Sequence, residues 1–210
     1  MSDERTTALH QVRDLYSSNL QEKGIGPNSV GWRDEATQQL RFRKLAHVIV
    51  PDGDTPFTYN DLGCGYGAMF PFLRDEAGAP LDLYRGYDIS REMLDAARTF
   101  AADPRVELVE GARLDKKADY SFVSGTFNVR FRATDEEWLA YILEMLANAA
   151  EFSTRGFAFN LLTSYVDWKE PHLYYGDPKF FFDHCVRTFS RRVALLQDYP
   201  LYEWTIAVRL

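Results

Sequence analysis

Basic residues, histidines, cysteines and long apolar runs are all scarce in this sequence. Lys and Arg together number 24 against 31 Asp and Glu, which leaves a net charge of -7. Because neutralised phosphates supply most of the affinity for DNA or RNA, this balance argues against a nucleic-acid partner. No apolar run approaches the ~20 residues that cross a bilayer, and no secretory leader is recognisable. We therefore expect a cytoplasmic protein without a membrane partner.

The two cysteines and four histidines do not suggest a metal site. Cys64 and Cys185 lie far apart in the chain, and no Cys/His spacing matches zinc binding. None of the histidines stands in a triad-like setting. The 210 residues fit a single domain, which we divide into an N-terminal helical cap (1–56) and a core (57–210).

Three alternating glycines follow the strand-like residues 57–60, in the run Asp61-Leu62-Gly63-Cys64-Gly65-Tyr66-Gly67. Because glycine has no Cβ, the backbone can turn sharply here and approach a ligand closely. The spacing also satisfies the dinucleotide fingerprint G-x-G-x-x-G/A, so the glycines alone do not choose between nucleotide ligands. A P-loop is excluded because no Gly-Lys-Ser/Thr follows.

Asp61 distinguishes between a dinucleotide and a nucleotide-like ligand with a cationic end. A carboxylate two residues before the first glycine suits a ligand with a cationic end better than a pyrophosphate. S-adenosylmethionine has such an end, an α-ammonium close to its sulfonium. The run resembles motif I of the class I S-adenosylmethionine-dependent methyltransferases, and this resemblance implies cofactor contacts by Asp61, Gly63, Cys64, Gly65 and Gly67.

A second acidic residue, Asp88, ends the apolar run 83–87. Both dinucleotide-binding and methyltransferase folds use an acidic residue at this place to bind the two ribose hydroxyls. The string Asp88-Ile89-Ser90-Arg91-Glu92-Met93-Leu94 resembles the second motif of the same family. The resemblance implies cofactor contacts by Asp88, Ile89 and Met93, with Ser90 as the cap of the next helix.

The loop after the third predicted strand departs from the family pattern. Family members often carry Gly-Asp-Ala here, and the carboxylate binds the adenine amino group. This chain has Gly111-Ala112-Arg113, and Ala112 has no acceptor in its side chain. A backbone carbonyl or another side chain must then accept from the adenine, and we expect Gly111 and Ala112 to lie against it.

Strands and helices alternate along the rest of the core. Period-two apolar patterns predict strands at 105–110, 120–124 and 157–162, and residues 134–137 have a helix-start signature. The last two predicted strands, 193–196 and 204–208, are joined by too few residues for a crossover helix, so they must pair antiparallel. We predict an α/β, Rossmann-like, seven-stranded and mostly parallel sheet with an antiparallel C-terminal strand and helices on both faces.

The reaction centre should lie at the carboxyl ends of the strands, where open α/β sheets bind their ligands. Residues 124–130 end the fourth strand, and the chain lacks the Asp/Asn-Pro-Pro-Tyr of adenine-N6 methyltransferases there. We expect Ser124 and Gly125 near the methionine part of the cofactor. Phe127, Asn128 and Arg130 are then expected on the acceptor side, with Asn128 either catalytic or ordering its loop.

Two further segments could reach the acceptor or the cofactor. The aromatic excursion 165–177 after the fifth strand is interpreted as a lid or a surface loop, with Tyr165 and Asp167 as acceptor contacts and His172 as a catalytic candidate. The N-terminal cap offers further candidates. Tyr16 and Trp32 are expected to face the acceptor or to pack in the core, and Arg41 could bind the cofactor carboxylate.

These patterns predict a methyltransferase that transfers a methyl group from S-adenosylmethionine to an oxygen or nitrogen of a small molecule. Two alternatives stay open from the sequence. One is a non-catalytic S-adenosylmethionine-binding protein, and the other is an NAD(P)-dependent oxidoreductase.

Overall fold

The computed structural model describes residues 3–78 and 80–210, with side chains from residue 6 onward; Ala79 of the predicted break at 78–80 lies outside the described residues. This part of the chain contains six α-helices and eight strands. The helices are α1 (Asp3–Lys23), α2 (Glu35–Leu45), α3 (Met69–Asp75), α4 (Arg91–Phe100), α5 (Asp135–Glu151) and α6 (Pro178–Thr188). The strands are β1 (Phe57–Leu62), β2 (Leu81–Asp88), β3 (Val106–Glu110), β4 (Ala118–Val123), β5 (Ser153–Thr163), β6 (Tyr175–Gly176), β7 (Arg192–Leu196) and β8 (Glu203–Arg209).

The strands form one sheet in the order β3-β2-β1-β4-β5-β8-β7. Neighbours from β3 to β5 pair parallel, whereas β8 pairs antiparallel with both β5 and β7. The predicted antiparallel C-terminal strand is thus confirmed. The order reverses at β1, where one half of the sheet runs toward β2 and the other toward β4. Ligands bind at such a reversal in open α/β sheets.

One short strand was not predicted from the sequence. Tyr175–Gly176 forms the strand β6 beside the end of β5, off the main path of the sheet, so the sheet has eight strands where seven were predicted. Helix α6 follows directly, with Asp177 as its N-cap and Pro178 at its first position. A two-residue strand has no periodicity to detect.

Capping side chains place the helices that follow β2 and β4. The Ser90 hydroxyl accepts from the backbone N–H of Met93 and begins α4, as predicted. Thr134 and Glu137 form a reciprocal capping box at the start of α5. These caps fix where each helix leaves the sheet, and therefore how the loops at the strand ends are arranged.

The sheet separates two apolar clusters. One lies under α2, α3 and α4 and includes Phe42, Phe70 and Tyr84, and the other lies under α5 and α6 and includes Trp138 and Trp204. Burial of these faces on both sides of the sheet is the main stabilising term of such a fold. Among residues 3–78 and 80–210, no helix has both the length and the apolarity to cross a membrane.

Candidate active site

A cleft lies at the carboxyl ends of β1, β2 and β4, at the point where the strand order reverses. The empty space in the cleft, together with open solvent at its mouth, is about 960 Å³. Helix α1 and the residues before α2 form one wall, and the loops after the strands form the other. The lining residues are Leu9, Val12, Arg13, Tyr16, Val30, Trp32, Gln38, Phe42, Asp61, Leu62, Gly63, Cys64, Gly65, Tyr66, Ala68, Met69, Asp88, Ile89, Ser90, Met93, Gly111, Ala112, Ser124, Gly125, Thr126, Trp138 and Tyr141.

The glycine loop forms the floor of the cleft. Gly63 has φ +78°, and a Cβ built on it would lie 2.2 Å from Oγ1 of Thr126. The N–H groups of Gly63 and Cys64 both donate to the carbonyl of Tyr87, at 2.8 and 2.9 Å. The loop is therefore held tightly between β1, β2 and the loop after β4, in a conformation that favours glycine.

Asp61, the last residue but one of β1, has a buried carboxyl group with one oxygen occupied and one unpartnered among the described residues. Its Oδ2 accepts from the hydroxyl of Tyr84 at 2.6 Å, whereas Oδ1 is buried with no hydrogen-bond partner among the described residues. Burial, opposed by the Tyr84 bond and reinforced by Asp88, raises the pKa of Asp61 to about 7. A buried acceptor without a partner in a ligand-sized cleft is chemically suited to a cationic group.

The raised pKa of Asp61 predicts how cofactor binding depends on pH. In the folded apo protein Asp61 stays protonated up to about pH 7. The stability that its raised pKa contributes to the apo protein is therefore lost as the pH rises through about 7. A ligand ammonium favours the ionised form, so affinity for S-adenosylhomocysteine should rise about tenfold between pH 6 and 8. Calorimetry across this range should show a flat profile for Asp61→Asn, and a wild-type affinity independent of pH would contradict the assignment.

Asp88 links the glycine loop to the start of α4. Its Oδ2 accepts from the N–H of Gly65 at 2.9 Å, and its Oδ1 accepts from the N–H of Ser90 at 2.8 Å. Burial raises the pKa of Asp88, while these backbone bonds oppose the rise. The phenol of Tyr16 lies in the same part of the cleft, where burial and the nearby Asp88 raise its pKa to about 12. Tyr16 therefore stays a hydrogen-bond donor at neutral pH.

Helix α1 is fastened across the cleft. The Ser17 hydroxyl lies 3.0 Å from the Ser90 hydroxyl and donates to Oε2 of Glu92 at 3.1 Å. These contacts place Leu9, Val12 and Tyr16, which share one face of α1, against the cleft. The N-terminal segment thus covers the ends of β1 and β2.

The structure brings together most of the residues that the sequence predicted for the cofactor. All of them line the cleft except Gly67, which packs against Ala97 and Ala101, and Arg41. Arg41 is buried and pairs with Glu203, with Nε 2.9 and 3.0 Å from the two carboxylate oxygens. Its guanidinium also lies over the ring of Trp32.

Of the residues predicted for the acceptor side, Tyr16 and Trp32 line the cleft and the rest lie elsewhere. Phe127 is fully buried in the apolar core, and Arg130 pairs with Asp135. Tyr165 and Asp167 are exposed on the excursion 165–177, which packs beside β5 through β6.

The two predicted catalytic side chains are also outside the cleft lining. Oδ1 of Asn128 accepts from the N–H of Leu162 at 3.3 Å, and its carbonyl accepts from Tyr174 at 2.9 Å. His172 is exposed, and its carbonyl accepts from the N–H groups of Arg130 and Phe131. These contacts are typical of a side chain that orders its loop, and the two roles that the sequence left open for Asn128 both stay predictions.

Several cleft residues carried no functional signal in the sequence or, like Thr126 in the predicted segment 124–130, had no role assigned. Gln38 accepts from the Tyr66 hydroxyl at 2.7 Å, and Trp138 and Tyr141 come from the inner face of α5. Thr126 donates to the carbonyl of Leu62 at 2.9 Å. Helical periodicity predicts that a face is buried, but it does not distinguish packing against the core from lining a cleft.

Comparison with known proteins identifies one curated relative with high identity. The chain is 51% identical over 160 residues to the Mycobacterium tuberculosis protein named "Putative methyltransferase Rv1506c", covering 73% of this chain and 93% of the relative. No family model matches the sequence.

Solved structures with the same architecture span the whole chain at low identity. The magnesium protoporphyrin IX methyltransferase ChlM from Synechocystis PCC 6803 with bound SAM has a TM-score of 0.66 at 18% identity, over 100% of this chain and 98% of that one. A DhpI-SAM-HEP complex has a TM-score of 0.63 at 16% identity, over 99% of both chains. These likenesses show the shared fold.

Proposed function

The chain belongs to the class I S-adenosylmethionine-dependent methyltransferases, and we propose that it methylates an oxygen or nitrogen atom of a small molecule. The 51% identical methyltransferase relative shows the family. The observation that carries the site is the buried, unpartnered Oδ1 of Asp61 beside the glycine loop. S-adenosylmethionine, when bound, supplies a methyl group on a sulfonium that an acceptor lone pair can take by displacement.

We assign the parts of the cofactor to residues at the ends of four strands, β1 to β4. Asp61 on β1 is suited to the α-ammonium, because its free oxygen is buried and anionic above about pH 7. Asp88 on β2 is suited to the ribose, with Tyr16 as a nearby donor. Ser124 after β4 has a buried hydroxyl without a partner among the described residues, and it is suited to the amino-acid end. Gly111 and Ala112 are suited to the adenine.

Methyl transfer to an aligned acceptor requires orientation more than proton transfer, because the sulfur leaves as a neutral thioether. In this cleft the surfaces that could orient an acceptor are the glycine loop, the loop after β4 and the aromatic side chains of Trp32, Trp138 and Tyr141. These aromatic side chains would suit a partly apolar acceptor. Of the two solved structures named above, one is a magnesium protoporphyrin IX methyltransferase and the other is a DhpI complex with SAM and HEP.

Transfer of labelled methyl groups tests this proposal. Purified protein is incubated with methyl-labelled S-adenosylmethionine and a fractionated cell extract. We expect label to accumulate in the small-molecule fraction with wild-type protein and, at a cofactor concentration below saturation, much more slowly with Asp88→Ala. Label in the RNA, DNA or protein fraction would contradict the small-molecule acceptor. Protein that binds the cofactor and labels no fraction would support a non-catalytic binding protein instead.

A further inference from the structure

Five residues from distant parts of the chain form a closed set of contacts beside the cleft, which we call the Arg41–Glu203 network: Trp32, Gly125, Arg41, Asn160 and Glu203. Arg41 pairs with Glu203, and Glu203 accepts from the side-chain amide of Asn160 at 3.5 Å. Oδ1 of Asn160 accepts from the N–H of Gly125 at 2.7 Å. Trp32 closes the set, because it lies against Gly125 on one side and under Arg41 on the other.

The ion pair at the centre of the network is almost completely shielded from water. The side chains of Arg41 and Glu203 are 9% and 1% exposed. Arg41 also donates to the carbonyl of Thr37 at 2.9 Å, and its guanidinium carbon lies 3.8 Å from the centre of the Trp32 ring. Removal of one partner of such a pair leaves an uncompensated buried charge, so the surrounding contacts must rearrange.

Gly125 and Trp32 connect this ion pair to the cleft. Gly125 has φ +70°, and a Cβ there would lie 2.4 Å from Cζ2 of Trp32, so the indole rests directly on the backbone after β4. Both residues line the cleft, next to the unpartnered hydroxyl of Ser124. They lie at the β4 end of the cleft, whereas Asp88 and Gly111 lie at the ends of β2 and β3, on the other side of β1.

We propose that Arg41 and Glu203 are a positioning pair that holds Trp32 and Gly125 as the wall around the amino-acid end of S-adenosylmethionine. This inference deepens the proposed function and rests on it. Arg41 acts through Trp32 and through Glu203, and does not touch the cofactor itself. The adenosine end is held separately by Asp88, Tyr16 and the loop after β3. Loosening the pair therefore weakens binding of the amino-acid part and leaves binding of the adenosine part intact.

Two ligands that differ in the amino-acid part test this division. S-adenosylhomocysteine carries it, and methylthioadenosine keeps the adenosine and sulfur without it. Calorimetry is performed on wild type, Arg41→Met and Glu203→Gln. Arg43→Met is the matched control, because Arg43 lies on the same helix with an exposed side chain 3.6 Å from Glu76.

We expect Arg41→Met and Glu203→Gln to weaken S-adenosylhomocysteine binding about tenfold and methylthioadenosine binding less than about twofold. The loss is selective because Trp32 and Gly125, once no longer held by the ion pair, would contact only the amino-acid part of the ligand. Arg41→Lys should recover part of the loss, because it restores the charge without the planar stack on Trp32. Arg43→Met should match wild type with both ligands. If Arg41→Met does not fold, Glu203→Gln, which keeps the size of the side chain, decides the test.

Equal losses for the two ligands would overturn the inference, since they would show a general structural role. Unchanged affinity for both would overturn it as well. Failure of the wild-type protein to bind either ligand would instead contradict the proposed function, so the two failures are distinguishable.

Discussion

Replacement of Gly63 by alanine is expected to lower the affinity for S-adenosylhomocysteine by about 100-fold or more, roughly 2.7 kcal/mol. The added Cβ would lie 2.2 Å from Oγ1 of Thr126, so Thr126 must move and lose its bond to the carbonyl of Leu62. That movement displaces residues 124–126, which line the cleft. Alanine is also strained at φ +78°, and we expect the free energy of unfolding to fall by about 2 to 3 kcal/mol. Calorimetry and denaturant unfolding measure the two effects.

Gly24→Ala separates backbone strain from the clash. Gly24 has φ +73°, close to that of Gly63, but a Cβ there meets nothing within 4 Å. This variant should lose about 1 kcal/mol of stability and keep its affinity for S-adenosylhomocysteine. If both variants bound the ligand as wild type does, the glycine loop would not be the floor of the cofactor site.

Asp88→Ala is expected to weaken binding of S-adenosylhomocysteine and of methylthioadenosine by the same factor, about 10- to 150-fold. This range corresponds to roughly 1.5 to 3 kcal/mol for a lost hydrogen bond to a charged group. The two ligands share the ribose, so the loss must be common to both, in contrast to the selective loss expected for Arg41→Met. The variant also removes the acceptor of the Gly65 and Ser90 N–H groups, so apo stability should decrease modestly.

Asp82→Ala is the matched control for this measurement. Asp82 lies on the same strand as Asp88, is exposed, and is remote from the cleft. It should leave both affinities unchanged. If Asp88→Ala is unfolded without ligand, its carboxylate serves the fold as an acceptor for two loops, and the ribose assignment loses its support.

The parts of the fold that the sequence predicted are those with local signals. The alternating glycines after β1 need positive φ values that other residues rarely adopt, and the Ser90 cap lies next to the helix that it starts. The antiparallel pair of β7 and β8 followed from the shortness of their connection. Each of these inferences depends on residues within a few positions of one another.

The surroundings of Arg41 could not be predicted in this way. Its partner Glu203 is 162 residues away, and nothing local in either segment indicates the pairing. One signal was present, a glutamate at the start of the mostly buried strand β8, because a buried carboxylate requires a compensating partner. The sequence does not say which arginine supplies it. Asn128 is similar, since its bond to the backbone of Leu162 depends on how β4 and β5 lie side by side.

Calorimetric comparison of S-adenosylhomocysteine with NAD on the wild-type protein tests the central claim most directly. Asp61 should hold the ammonium end and Asp88 the ribose of S-adenosylhomocysteine. We therefore expect a Kd in the micromolar range, which is a binding free energy of about -8 kcal/mol. NAD carries a pyrophosphate that the buried carboxyl of Asp61 disfavours, so we predict no comparable binding. Tighter binding of NAD than of S-adenosylhomocysteine would contradict the account.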